Sequence, residues 1–245
     1  MKLNNDLLAA GVLSVALIPG ALADVLYENT TTDLNVQYDT GTSEVGNQVS
    51  LAGGTAANIT EFTFQYWAAF SGTESLDFRI YANNGPNWDP TYKMPGTELF
   101  DSGTFSVPAT VRQTVVFDTA DFGASGLSVP NGFTWTVQFS NLGGSGHAGV
   151  GVYGPPTVGL AFNDVWVNTG TPTTPVWGLK DPSDSYPGLS TGTFAAEIDG
   201  IPVPVPEPSP AQYGSMCGAV CLVRLVWKRL RGKANEPHRN ARRLT

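Results

Sequence analysis

Between residues 24 and 200 apolar side chains recur at every second position, and no stretch sustains a helical period. In "GFTWTVQFS" (132–140) Phe133, Trp135, Val137 and Phe139 share one face, while Thr134, Thr136, Gln138 and Ser140 take the other. That pattern predicts a half-buried antiparallel strand, because successive side chains in a strand point to opposite sides. "SLDFRIYA" repeats it with Leu76, Phe78 and Ile80, and "ITEFTFQYWAAF" with Phe62, Phe64 and Tyr66. Further strands are expected over 33–38, 45–51, 97–107, 111–118, 148–153, 163–168 and 193–199, separated by turn residues. About ten short strands without a helix imply an all-β chain: a single antiparallel β-sandwich, jelly-roll-like in its connections. A barrel is the alternative architecture.

Charge divides the chain. Residues 24–210 carry 19 acids against four bases, and residues 211–245 carry eight bases against one acid. So uneven a distribution marks the last segment as a tail with its own task. The acidic body excludes nucleic acid as a partner, since phosphate binding requires Lys and Arg. Both cysteines, Cys217 and Cys221, lie in the tail, so the body holds no disulfide framework and no thiolate metal site.

The two ends read as addresses. Met1–Lys2, an apolar run from Leu7 to Ile18 and the exit Ala21-Leu22-Ala23 form the pattern of a secretory signal peptide, with cleavage expected after Ala23. At the other end, "IPVPVPEPSP" (201–210) holds five prolines and predicts an extended spacer. Residues 211–227 are mostly small and apolar, and Lys228, Arg229, Arg231 and Lys233 follow as a cationic block. A basic cluster after an apolar helix holds that end in the cytoplasm. The expected organisation is therefore a signal peptide (1–23), a sandwich domain (24–200), a Pro-rich linker (201–210), a short membrane helix with its basic cluster (211–233) and a polar tail (234–245).

Val205-Pro206-Glu207-Pro208-Ser209, the apolar helix and the basic cluster, in that order, resemble the PEP-CTERM sorting signal of Gram-negative bacteria. The resemblance covers about 30 residues and concerns sorting alone. It implies export, a transient inner-membrane intermediate, processing near the Pro-Glu-Pro step by an exosortase-type enzyme, and delivery to the cell surface or extracellular matrix. It also implies an association with exopolysaccharide.

For the body, the loop "YANNGPNWDPTYKMPG" (81–96) is the richest in ligand-type groups. Sugar rings stack on aromatic faces and pair their hydroxyls with amides and carboxylates, so Asn84, Trp88, Asp89 and Tyr92 form a candidate glycan contact. Calcium is the cofactor class the composition admits, at Asp33, Asp39 and Glu44 or at Asp118 and Asp121. The body's single histidine, His147, sits in "NLGGSGHAGVGVYG", which predicts a glycine-rich hairpin loop and does not fit G-x-S-x-G. Two carboxylates across a cleft suffice for glycoside hydrolysis, and Asp77 and Glu61 fall on the polar sides of expected strands. The sequence therefore points to an exported, non-catalytic polysaccharide-binding or structural sandwich. A secreted polysaccharide-active enzyme, hydrolase or lyase, on the same scaffold is the alternative.

Overall fold

A computed structural model describes residues 23–70, 74–90, 92–171, 173–181 and 192–204. These residues form two antiparallel sheets packed face to face, a β-sandwich. Sheet A joins β1 (Asp24–Asn29), β2 (Asp33–Asp39), β4 (Ala57–Ala69), β8 (Thr110–Phe117), β9 (Leu127–Val129), β11 (His147–Tyr153), β14 (Thr193–Phe194) and β15 (Ala196–Pro202). Sheet B joins β3 (Glu44–Ser50), β5 (Glu74–Ala82), β6 (Glu98–Asp101), β7 (Phe105–Val107), β10 (Gly132–Ser140), β12 (Leu160–Asn168) and β13 (Trp177–Lys180). The chain crosses repeatedly between layers. The resulting partners are nested in sequence: β1 with β15, β3 with β12, β4 with β11 and β5 with β10.

The inner faces meet in one aromatic core. Phe62 and Phe64 of sheet A touch Phe78 and Trp135 of sheet B, with ring centroids 4.9 to 5.7 Å apart. Each such buried side chain contributes roughly 1.5–3 kcal/mol of hydrophobic stabilisation. The alternation predicts this layer correctly: Phe62, Phe64 and Tyr66 are buried, and Glu61, Thr63, Gln65 and Trp67 face outward.

Several details differ from the sequence reading. β10 is not half-buried, because Thr134 and Thr136 on its polar face are as inaccessible as its aromatics. The span 97–107 is two strands, separated where Gly103 adopts φ 64° and Asp101 accepts from its amide. β1 breaks the two-residue period at a bulge between Val25 and Tyr27, so Leu26 and Tyr27 are buried together. Among the described residues a short α-helix, α1 (Thr119–Phe122), and a 3-10 turn (Ala52–Gly54) interrupt the strands. β15 runs to Pro202, two residues beyond the boundary expected at 200, and Pro202 still pairs with Ala57. Ala21 and the sorting motif, apolar helix and basic cluster of 205–233 lie outside the described residues. Among the described residues no helix is long and apolar enough to cross a membrane.

Candidate binding trough

The outer face of sheet A carries a trough, shaped by two glycines of β11. On β11 the inward positions are Ala148, Val150 and Val152, which leaves His147, Gly149, Gly151 and Tyr153 facing out. No side chain fits at Gly149: a Cβ there would lie 1.8 Å from the Tyr38 carbonyl oxygen and 3.0 Å from Trp67 Nε1. Gly149 pairs directly with Trp67, so the indole lies over bare backbone. At Gly151 a Cβ would come within 3.3 Å of the Tyr153 ring. The result is a pocket of about 270 Å³ lined by Asn35, Gln37, Gln65, Trp67, Val111 and Arg112 among others. That volume lies just under the ~300 Å³ at which small-molecule sites usually begin.

A bulge in β8 closes the trough from above. Tyr66 pairs with Gln113 and Ala68 with Thr110, so Val111 and Arg112 together oppose Trp67. Freed from the ladder, they reach β2 across the intervening strands. Arg112 Nη2 donates to Asp33 Oδ2 at 2.5 Å, and Gln37 Nε2 donates to the Val111 carbonyl at 3.4 Å. The guanidinium also sits 5.9 Å over the Tyr153 ring. Tyr153 in turn donates its hydroxyl proton to Gln65 Oε1 at 2.7 Å. Partial burial opposes ionisation of Asp33, but the Asn35 amide and the Arg112 guanidinium hold its carboxyl below the usual range. Trp67 Nε1 is buried with no hydrogen-bond partner among the described residues.

The outer face of sheet B is organised in the opposite way. Glu44, 1% exposed, accepts from the Tyr81 hydroxyl at 2.9 Å, Thr136 Oγ1 at 2.7 Å and Asn168 Nδ2 at 2.9 Å. Arg79 Nη1 lies 3.5 Å from the same carboxylate, and its Nη2 is paired with Asp77. Asp101 accepts from Arg79 Nε at 3.1 Å. Burial, with only partial relief from Arg79 and opposition from Asp101 and Glu44, pushes the Asp77 carboxyl up to about 7. Burial, the Glu44 charge and the hydrogen bond to it raise the Tyr81 phenol.

The loop named from the sequence stands beside this cluster. It is zipped by its own backbone: Gly85 donates to Met94, and Met94 donates to Pro86. Asn84 holds both the amide and the hydroxyl of Thr97, and Asp89 Oδ1 accepts from the Tyr92 amide at 2.8 Å. Those two polar side chains therefore serve the loop itself. Trp88 is 46% exposed and packs edge-on against Trp166, while Tyr92 packs edge-on against Phe162. The loop thus keeps an aromatic tip without a polar surround contributed by Asn84 and Asp89.

The calcium candidates do not converge. Asp33 and Asp39 belong to sheet A and Glu44 to sheet B, and Glu44 is enclosed by its own donors. Asp118 and Asp121 form a capping box on α1, Asp118 accepting from the Ala120 amide at 2.6 Å and Asp121 from the Asp118 amide at 3.0 Å. Among the described residues no group of three or more His, Cys, Asp and Glu side chains is placed to hold a metal ion. His147 is not in a loop: it opens β11, pairs with Ala69 and bonds Asp39 Oδ2 through Nδ1 at 2.7 Å. Asp77 and Glu61 lie on different sheets and do not face one another. Comparison of the chain with protein-family models, curated proteins and solved structures gives no match.

Proposed function

We propose that this chain is an exported cell-envelope or matrix protein whose sandwich binds polysaccharide without catalysis. The observation that carries the reading is the trough: a hollow lined by the Trp67 indole, the bare backbone of Gly151 and amide side chains. An aromatic face takes the apolar side of a sugar ring, and amides take its hydroxyls. No carboxylate belongs to the trough's lining, whereas glycoside hydrolysis uses two. The buried acids Glu44 and Asp77 sit on the opposite outer face, engaged with Arg79.

The nested strand pairs support a jelly-roll-like wrap, a scaffold that leaves one broad sheet face open to ligand. The leader-like residues 1–23 and the resemblance of residues 205–233 to the PEP-CTERM signal support export, a transient inner-membrane stage and exosortase-type processing. Exopolysaccharide or another envelope glycan is the partner this route supplies.

The test is incubation of the full-length chain with a panel of insoluble polysaccharides. Depletion of the protein from solution, with no reducing ends and no unsaturated sugars released, is expected. Release of either product would establish the enzyme instead. Truncation after Pro204 should free the protein into the medium; unchanged envelope retention of the truncated chain would overturn the sorting half of the proposal.

A further inference from the structure

Among the described residues Arg112 is the only Arg or Lys on a strand of sheet A. Six carboxylates besides Asp33 lie on the same strands: Asp24, Glu28, Asp39, Glu61, Glu197 and Asp199. None of the six is buried inside the core cluster. The face that holds the trough is therefore strongly acidic, and its one cation is already held at 2.5 Å by Asp33.

We infer that the trough selects uncharged glycans, and that Asp33 sets this selectivity by occupying Arg112. This rests on the glycan reading above and names its ligand class. The physical reason is a competition. A uronate or sulfate on a sugar needs a cation, and the charge of Arg112 is already balanced by Asp33, so an anion laid against it would share the guanidinium with that carboxylate. A neutral ring makes no such demand. Its hydroxyls can pair with the Asn35 and Gln65 amides that line the trough and its apolar side can lie against Trp67, while Arg112 stays clamped over Tyr153. Like charges already press on one another along this face. Burial, then Asp199, Glu28 and Glu61, raise the Glu197 carboxyl; burial and Asp24 raise that of Asp199. A polyanion laid along the sheet would add to that repulsion.

Neutral β-glucan, neutral galactomannan and a polyuronate of matched length separate the outcomes in titrations of the full-length chain at low salt. A neutral polymer should bind about tenfold more tightly than the polyuronate. Asp33→Asn should close most of that gap by releasing the guanidinium charge, and adding Arg112→Gln to it should restore the preference. Asp33 sits at the partly exposed start of β2, so a thermal melt suffices to show that the variant folds. Polyuronate binding by the unaltered chain as tight as neutral binding would overturn the inference while leaving the glycan reading intact. So would a selectivity unmoved by Asp33→Asn in a folded variant. Failure of every polymer to bind would remove the glycan reading and this inference with it.

Discussion

The two outer faces of this sandwich use the same strand geometry to opposite ends. On sheet B the outward positions are filled: Glu44, Arg79, Asp77, Tyr81, Thr136 and Asn168 interlock, and Trp166 and Trp177 pack beside Tyr81, Tyr92 and Met94. On sheet A the corresponding positions of β11 are emptied to Gly149 and Gly151, and the strand beside them supplies Trp67. A filled outer face is a second core, and its polar groups stabilise the fold. An emptied one leaves Trp67 and amide side chains around a hollow, the feature on which the glycan proposal rests.

If this contrast is right, the largest stability loss should come from sheet B. Glu44→Ala leaves Arg79, Tyr81, Thr136 and Asn168 without their shared acceptor, and breaking a buried ion pair of this kind costs about 3–5 kcal/mol. A melting temperature lowered by about 10 °C or more is expected; a shift within error would show that the cluster is ornamental. Gly149→Ala, on the other face, should cost about 1–3 kcal/mol, because the added methyl meets the Tyr38 carbonyl, and should also displace the indole of Trp67. Unchanged stability, read from chemical denaturation, would mean that the floor is not tightly built.

A smaller effect distinguishes the faces by pH. The Asp77 carboxyl rises in the folded protein to about 7, from a value near 3.8. The native state therefore binds more protons than the unfolded chain between these values. This group's share of stability is full below the unfolded value and is lost as pH rises through the folded one. Melting temperatures measured from pH 4 to pH 8 should fall less steeply in Asp77→Asn than in the unaltered chain. Parallel curves would place the Asp77 carboxyl in its ordinary range.

The alternation that makes β4, β5 and β10 legible is a local property, and the structure places those strands where the pattern predicts. Edge strands are harder because bulges spoil the period, as at Leu26 and Tyr27, or because they are as short as β9 and β13. The covering of β10's polar face was invisible for a different reason. Thr134 and Thr136 read as solvent-facing until Asn83 and Glu44, drawn from other strands and loops, close over them. The trough is less legible still. Gly149 and Gly151 stand two residues apart in plain view, but their meaning depends on Trp67, about eighty residues earlier, and on a bulge that brings Arg112 over the top. Glycines at alternate positions of a strand beside an outward tryptophan are the signal that a sequence reading can use. The loop bearing Trp88 attracted attention because its polar residues are contiguous, yet contiguity let Asn84 and Asp89 satisfy the loop's own backbone.

The decisive measurement compares two tryptophans. In titrations of the full-length chain with a neutral polysaccharide that it retains, Trp67→Ala should weaken binding by about tenfold or more, ~1.4 kcal/mol, without a matching loss of melting temperature. Trp88→Ala should leave the affinity within about threefold of the unaltered chain. The reverse pattern, with affinity lost at Trp88 and kept at Trp67, would contradict the account and move the binding surface to sheet B.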